Sequence, residues 1–328
     1  MTLTWAYSQT GRESYLEKAH TLLSNLLSPE SRPYGKGFVC FEWHYGGRGN
    51  GLIGQVWAME ALIAASKVLQ TPVYSELAQE LWLEHPFDES LGLWRTLEPD
   101  GTVGRVHLTL NQQVWFAAIG QLLPPPRAEV VDARVHRFLE CIEERLEVAH
   151  SGLLGMQIIP DRRDLHWRWQ RLAPALRKWA RRALRRSSQF PEFTYRERSV
   201  GYHAFTLYGF ALLRQQLPDH PVWHSPKLKS AVRWASSDSH RRALRCNPFA
   251  MGYNPAGYET PFILSVFLPL TESELIEASR WWLTEQVRRH YNPETRRFDR
   301  NTPDPATLTA RAYEATRLPN ALLDLPLH

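Results

Sequence analysis

Chemistry in this chain, if it has any, is written at the starts of its apolar segments. His203 and Tyr202 lie in GYHAFTLYGF, where apolar neighbours would bury an imidazole and tune it for proton transfer near neutral pH. Glu259 and Tyr258 lie in GYETPF just after Tyr253 and Asn254, a place for a carboxylate acting as general base or holding a hydroxyl. Arg48 sits in GGRGNG, and its guanidinium could fork onto a carboxylate. That glycine run lacks the Lys and Ser/Thr of a phosphate-binding loop. Asn111, Gln112 and Gln113 open another apolar segment, and Arg311, Tyr313 and Glu314 lie in the last. His44 and Asn50 flank Arg48. Each residue alone reads equally as a helix cap or a satisfied buried polar group. Their repetition at corresponding positions is what suggests a shared site.

Those positions recur because the chain repeats a two-helix unit. A charged amphipathic segment, a loop rich in Gly, Trp and Tyr, and a segment apolar nearly all round follow one another along the sequence. The apolar members begin near Gly51, Leu108, Val200, Gly257 and Ala306. Amphipathic partners are expected over 12–27, 72–84, 128–147, 226–241 and 272–289. A helix apolar on every side must be wrapped by others, so the pattern predicts an all-α toroid of inner and outer helices. One domain over residues 1–328 is expected. Short β-hairpin loops, such as LGLWRTLEP and FVCFEWHY, would cap one mouth. The opening TLTWAYSQTGRESYLEKA reads as the end of an inner helix, a turn at Thr10 and Gly11, and the next outer helix. Six inner and five outer members result, so part of the first hairpin is missing, and a second copy or another partner is expected to cover the gap.

Composition narrows the class. A hydrophobic fraction of 43% with 13 Trp supports a large core and supplies flat rings of the kind that stack on sugars. No signal-peptide pattern opens the chain, and a cytoplasmic location, free or at the inner face of the membrane, is expected. Cys40, Cys141 and Cys246 fit reduced thiols, no ligand spacing suggests a metal, and no cofactor is called for. The net charge of +5 comes from one stretch: ten basic residues lie within 162–186, and the remainder is slightly acidic. Leu165, Trp169, Leu172, Leu176 and Trp179 recur there at helical spacing, with Pro174 as a kink. This basic amphipathic insertion reads as a peripheral membrane contact or a solvated face, with no specific nucleic-acid motif.

The strings GLIGQVWAMEAL, HPFDESLGLW, LNQQVWFAA and NPAGYETPF carry a resemblance. They resemble the six-hairpin (α/α)6 toroids of carbohydrate-active enzymes: N-acylglucosamine 2-epimerases, unsaturated glucuronyl hydrolases, uronyl lyases and glucuronyl C5-epimerases. The likeness is greatest to epimerase-like or isomerase-like proteins of bacterial and archaeal glycan-assembly clusters. It implies an anionic oligo- or polysaccharide partner, free or lipid-linked, handled where the inner-helix starts converge. Asn111 stands where the hydrolases use an aspartate, which disfavours hydrolysis. Arg48, Glu259 and His203 match three positions of the 2-epimerase pattern, while Tyr313 and Glu314 replace its second histidine. The lyase and C5-epimerase pattern neutralises a uronate with Asn or Arg and moves the C5 proton with Tyr, His or Glu. His203, Tyr253 and Glu259 are then the catalytic candidates, with Arg48, Asn111, Gln112, Tyr202, Tyr258, Tyr313 and Glu314 binding substrate. The expectation is an enzyme that epimerises, isomerises or eliminates at a uronic acid unit. Its alternatives are a hexosamine 2-epimerase and a non-catalytic glycan-binding toroid.

Overall fold

The structure, a computed structural model, describes residues 1–40, 48–159 and 194–326. The basic insertion at 162–186 and His44 lie outside the described residues.

The chain is mostly helical and follows the expected alternation. Helix α1 (Thr2–Thr10) ends at Gly11, whose φ of +64° suits a residue without a side chain, and α2 (Glu13–Leu26) follows. Next come α3 (Gly51–Leu69) and α4 (Val73–Glu84), then three short strands, β1 (Phe87–Asp88), β2 (Leu93–Leu97) and β3 (Val103–Val106). Helices α5 (Leu110–Leu122), α6 (Glu129–Arg145) and α7 (Tyr195–Gln216) precede a pair, α8 (Pro226–Ala235) and α9 (Asp238–Leu244). The rest comprises α10 (Ala256–Phe267), α11 (Glu272–His290), α12 (Pro305–Arg311), a 3-10 turn (Ala312–Arg317) and α13 (Asn320–Leu323).

Local chemistry sets these boundaries. Thr194 with Glu197, and Thr271 with Glu274, form reciprocal capping boxes at the starts of α7 and α11. The outer segment expected at 226–241 is two helices, because Ser237 accepts the amide of His240 and starts α9 afresh. Helix α10 stops at Phe267 because Leu268 precedes Pro269, which disfavours helical backbone. The last inner segment tightens to 3-10 geometry and then breaks at Pro319, instead of running as one helix over 306–323. The strands form an antiparallel sheet, β1–β2–β3, pairing Phe87 with Trp94 and Leu97 with Val103. LGLWRTLEP is therefore a hairpin strand as expected. Residues 38–40 of FVCFEWHY carry no strand, and 41–45 lie outside the described residues.

Packing follows a definite order. Helix α3 lies against α5, α5 against α7, α7 against α10, and α10 against the 3-10 turn. Helix α1 touches both that turn and α3, so the order of contacts returns to its start. Helices α2, α4, α6 and α11 lie on α1, α3, α5 and α10 respectively, and α8 and α9 lie on α7. Indole N–H groups tie neighbouring helices together: Trp82 of α4 donates to Phe116 O on α5 (2.9 Å), and Trp115 of α5 to Phe205 O on α7 (3.0 Å). Helix α3 is long and apolar enough to cross a membrane by length and composition, but Leu52, Val56, Met59 and Leu62 are fully covered by its neighbours.

The tightest approach is between α10 and α11. A Cβ on Gly257 would lie 2.3 Å from Gln286 Cβ and 2.6 Å from Trp282 O. Gly257→Ala should therefore force the helices apart and cost about 1–3 kcal/mol, measurable by chemical denaturation. A change near zero would mean that this contact is looser than the geometry requires.

Candidate functional site

Hydrogen bonds tie the starts of the inner helices to one another. Gln112 Oε1 on α5 accepts from Leu52 N (2.9 Å) and Ile53 N (3.4 Å), capping α3 where Asn50 makes no side-chain cap. The start of α5 reaches α7 through a short extended stretch: Leu110 N donates to Met156 O (2.7 Å), and Leu154 N to His203 Nδ1 (3.2 Å). Asn254 Nδ2 donates to Gly201 O (2.9 Å), fixing the start of α10 against α7. Arg311 joins the last segment to α10.

Arg311 is the centre of the most concentrated chemistry in the molecule. Its Nε donates to Glu314 Oε1 (2.8 Å), one terminal nitrogen to Asn254 Oδ1 (2.5 Å), and the other to Glu259 Oε1 (2.7 Å). The guanidinium stacks 4.4 Å from the Phe205 ring centre. Both carboxylates are fully buried, and Glu259 Oε2 and Glu314 Oε2 have no partner among the described residues. Burial pushes both carboxyls up, Glu259 well above the usual range; Arg311 opposes this and their mutual repulsion adds to it for Glu259. Burial would lower Arg311, but Glu314 and Glu259 outweigh it and hold the guanidinium charged. Two buried carboxyls thus face one guanidinium, and burial favours the protonated form of both.

A second ionic group lies beside it. Glu60, alone in the apolar run of α3, accepts from the Tyr313 hydroxyl (2.5 Å) and pairs with Arg317. Tyr208 donates its hydroxyl to Glu314 O (3.1 Å). The Tyr202 and Tyr253 rings meet edge to face at 6.1 Å, both half-buried, and burial together with the Tyr253 phenol pushes the Tyr202 hydroxyl up.

The expected site residues thus divide. Tyr202, Tyr253 and Glu259 come together around Arg311 with Glu314, and Tyr313 sits behind them on Glu60. Asn111 is 4% exposed and its amide makes no hydrogen bond among the described residues. Arg48 is exposed, and its charge acts on Asp100. Gln112 serves as a helix cap, which spends its carbonyl on backbone amides instead of a ligand. Gln113 is likewise spent on Trp94 and His107 backbone. Tyr258 is buried edge-on to Phe298 (5.9 Å).

His203 stands apart from its expected role. Its Nδ1 accepts from Leu154 N, and Nε2–H donates to Ala231 O (3.0 Å) on α8, with Trp234 and His240 packed around the ring. Burial, then the neighbouring His240, hold it neutral far below the ordinary histidine range. Both ring nitrogens are thus occupied by backbone groups of the protein, Leu154 N and Ala231 O.

Three residues outside the expected set matter. His107 lies beside Gln112 and Gly51, its Nδ1 accepts from Thr109 N (3.3 Å), and burial lowers it to about 4. It precedes an inner helix, the very position that singled out the others. Glu60 was legible as the lone carboxylate in an apolar helix, whereas Arg317 had no comparable signal. Among the described residues no group of His, Cys, Asp and Glu could hold a metal ion.

The arrangement defines a mostly helical protein in which Arg311 joins the buried carboxylates of Glu259 and Glu314 in one ionic cluster. Archaeal glycosylation protein Q of Haloferax volcanii is 32% identical over 325 residues, spanning 97% of this chain and 85% of that protein. The chain belongs to the family of that glycosylation protein. No protein-family model and no solved structure matches it.

Proposed function

We propose that this protein takes part in glycan assembly, as the name of its Haloferax relative suggests, and that it acts on a uronic acid unit by moving a C–H proton. The closed order of helix contacts is read as a six-fold (α/α) toroid, with the substrate entering where the inner helices begin. The observation that carries the reading is the pairing of Tyr202 and Tyr253 above the buried Arg311–Glu259–Glu314 cluster. In it, Asn111 and Arg48 neutralise the sugar carboxylate, which acidifies the adjacent carbon by stabilising the enolate-like transition state. Tyr253 moves the proton, Tyr202 donates a hydrogen bond to it, and Glu259 with Arg311 sets the field around both phenols. Epimerisation returns the proton to the opposite face; elimination expels the group at the next carbon instead.

Solvent-deuterium exchange into uronate-containing glycans tests this directly. Tyr253→Phe should slow exchange by about 100-fold or more while leaving thermal stability near that of the parent. Exchange at an unchanged rate removes Tyr253 from this role, and no exchange by the parent protein removes the proton-transfer reading. One observation favours a second reading, a glycan-binding toroid without catalysis: Arg311 spends its donors on Glu314, Asn254 and Glu259, all within the protein. On that reading uronate glycans bind, no exchange occurs with any variant, and the cluster is purely structural.

A further inference from the structure

Away from the inner-helix starts, an open cavity of about 640 Å³ lies between the end of α9, the loop 247–252 and the last turns of α11. Arg241 and Arg245 line it from one side, Arg288 and Arg289 from the other. Glu285 is the one carboxylate in the lining and pairs with both Arg288 and Arg289, so the wall keeps an excess of positive charge. Arg245 is exposed and its side chain has no partner among the described residues. Arg241 pairs with Asp238 (3.3 Å), and the four arginines still outnumber these two carboxylates, which makes the groove a receptor for anions.

Two further features call for a sugar in place of a bare anion. Trp281 lines this cavity and also an adjoining one of about 550 Å³, which shares Glu285 and continues along α11. The Arg241 guanidinium lies 4.9 Å from the Trp281 ring centre, so indole and arginine together form the flat platform offered to a pyranose. His290, only 4% exposed, lines the first cavity with Nε2 unpartnered, because its Nδ1–H donates to Arg300 O (2.9 Å). Burial keeps that ring neutral, lowering it from the ordinary histidine range. A neutral imidazole fixed this way presents a lone pair, which accepts from a hydroxyl and repels a phosphate or sulfate oxygen.

The loop 247–252 joins this groove to the inner site. Phe249 packs on Tyr202 (5.7 Å) and Tyr253 (5.9 Å), while Asn247, Pro248 and Gly252 line the groove. We propose that the groove is a second saccharide-binding site that holds an anionic oligosaccharide, its carboxylates on the arginines, a sugar face on Trp281 and a hydroxyl on His290 Nε2. The choice of an acidic glycan rests on the function proposed above; the groove's own chemistry does not depend on catalysis. A chain bound there lies one loop away from the tyrosines, so the groove would hold the part of the glycan that is not being altered.

Titration calorimetry with tetragalacturonate, maltotetraose and sodium sulfate tests the site. Tetragalacturonate should bind, more weakly as salt rises, and maltotetraose should not compete with it. Arg245→Ala with Arg288→Ala, both on the surface, should weaken tetragalacturonate by about tenfold or more. Trp281→Ala should weaken the oligosaccharide but not sulfate. Absent binding, equal binding by the double variant, or sulfate binding as tightly as the tetrasaccharide would each overturn the proposal. Tyr253→Phe separates the two readings: retained binding with lost exchange supports both, and binding with no exchange in any variant sinks only the catalytic one.

Discussion

Replacing Arg311 by alanine should destabilise the protein by about 3–5 kcal/mol, the usual cost of leaving buried charge without its partner. Glu259 and Glu314 have no water to turn to, being fully buried, and Asn254 would lose the donor that holds its carbonyl. For a chain of this size that loss corresponds to a fall in Tm of roughly 10 °C. Arg311→Lys should recover only part of it, because an ammonium cannot reach three acceptors with the fixed fork of a guanidinium. The diagnostic variant removes the whole cluster's charge: Arg311→Met with Glu259→Gln and Glu314→Gln should regain much of the stability and none of the activity. If Arg311→Ala melts within about 2 °C of the parent, the cluster is not what joins the last segment to α10.

Acid should unfold this protein earlier than carboxylate protonation alone would. His85, His107 and His240 are all lowered to about 4, with burial the largest cause in each, and His203 lies further below the ordinary value. In the unfolded chain each titrates near 6.5, so between about 6.5 and about 4 the unfolded state binds more protons. Their contribution is fully present above about pH 6.5 and is lost as pH falls towards 4. Each is worth on the order of 3 kcal/mol, and three together rival the whole stability of a typical domain. Glu259 and Glu314 work in the opposite sense, their raised carboxyls favouring the fold most at low pH and less as pH rises. Urea denaturation across this range checks the balance. A stability that stays level down to about pH 4.5 would show that the buried imidazoles do not carry the effect.

Much of the helical framework was legible because burial and periodicity are local to each segment. The apolar run from Gly51 to Leu69 marks its helix directly, whereas the capping pair Thr194–Glu197 starts α7 ahead of the apolar run near Val200. The breaks at Ser237 and Pro319 were harder, since a cap or a proline competes with an otherwise continuous pattern. At the site, position within the repeat found Tyr202, Tyr253, Glu259 and Glu314 but could not say which way a side chain turns. His203 shares the helix start with Tyr202, one residue away, and that step of about 100° around the helix carries it from the inner face to the outer layer. Arg311 was visible as a residue and invisible as a hub, because its partners lie 52 and 57 positions earlier in the chain.

The bond between Tyr313 and Glu60 joins residues 253 positions apart, and Arg317 reaches the same carboxylate across 257. Contacts of that span form only after everything between them has been made, so they set the order of assembly more than its strength. While the last segment is still on the ribosome, Glu60 has neither its phenol nor its guanidinium and sits as an uncompensated carboxylate in an apolar helix. The early helix pairs must wait in a half-built state with a charged seam exposed, and the arrival of residues 311–317 turns that seam into the interior. The arrival of residues 311–317 therefore locks the helix that carries Glu60.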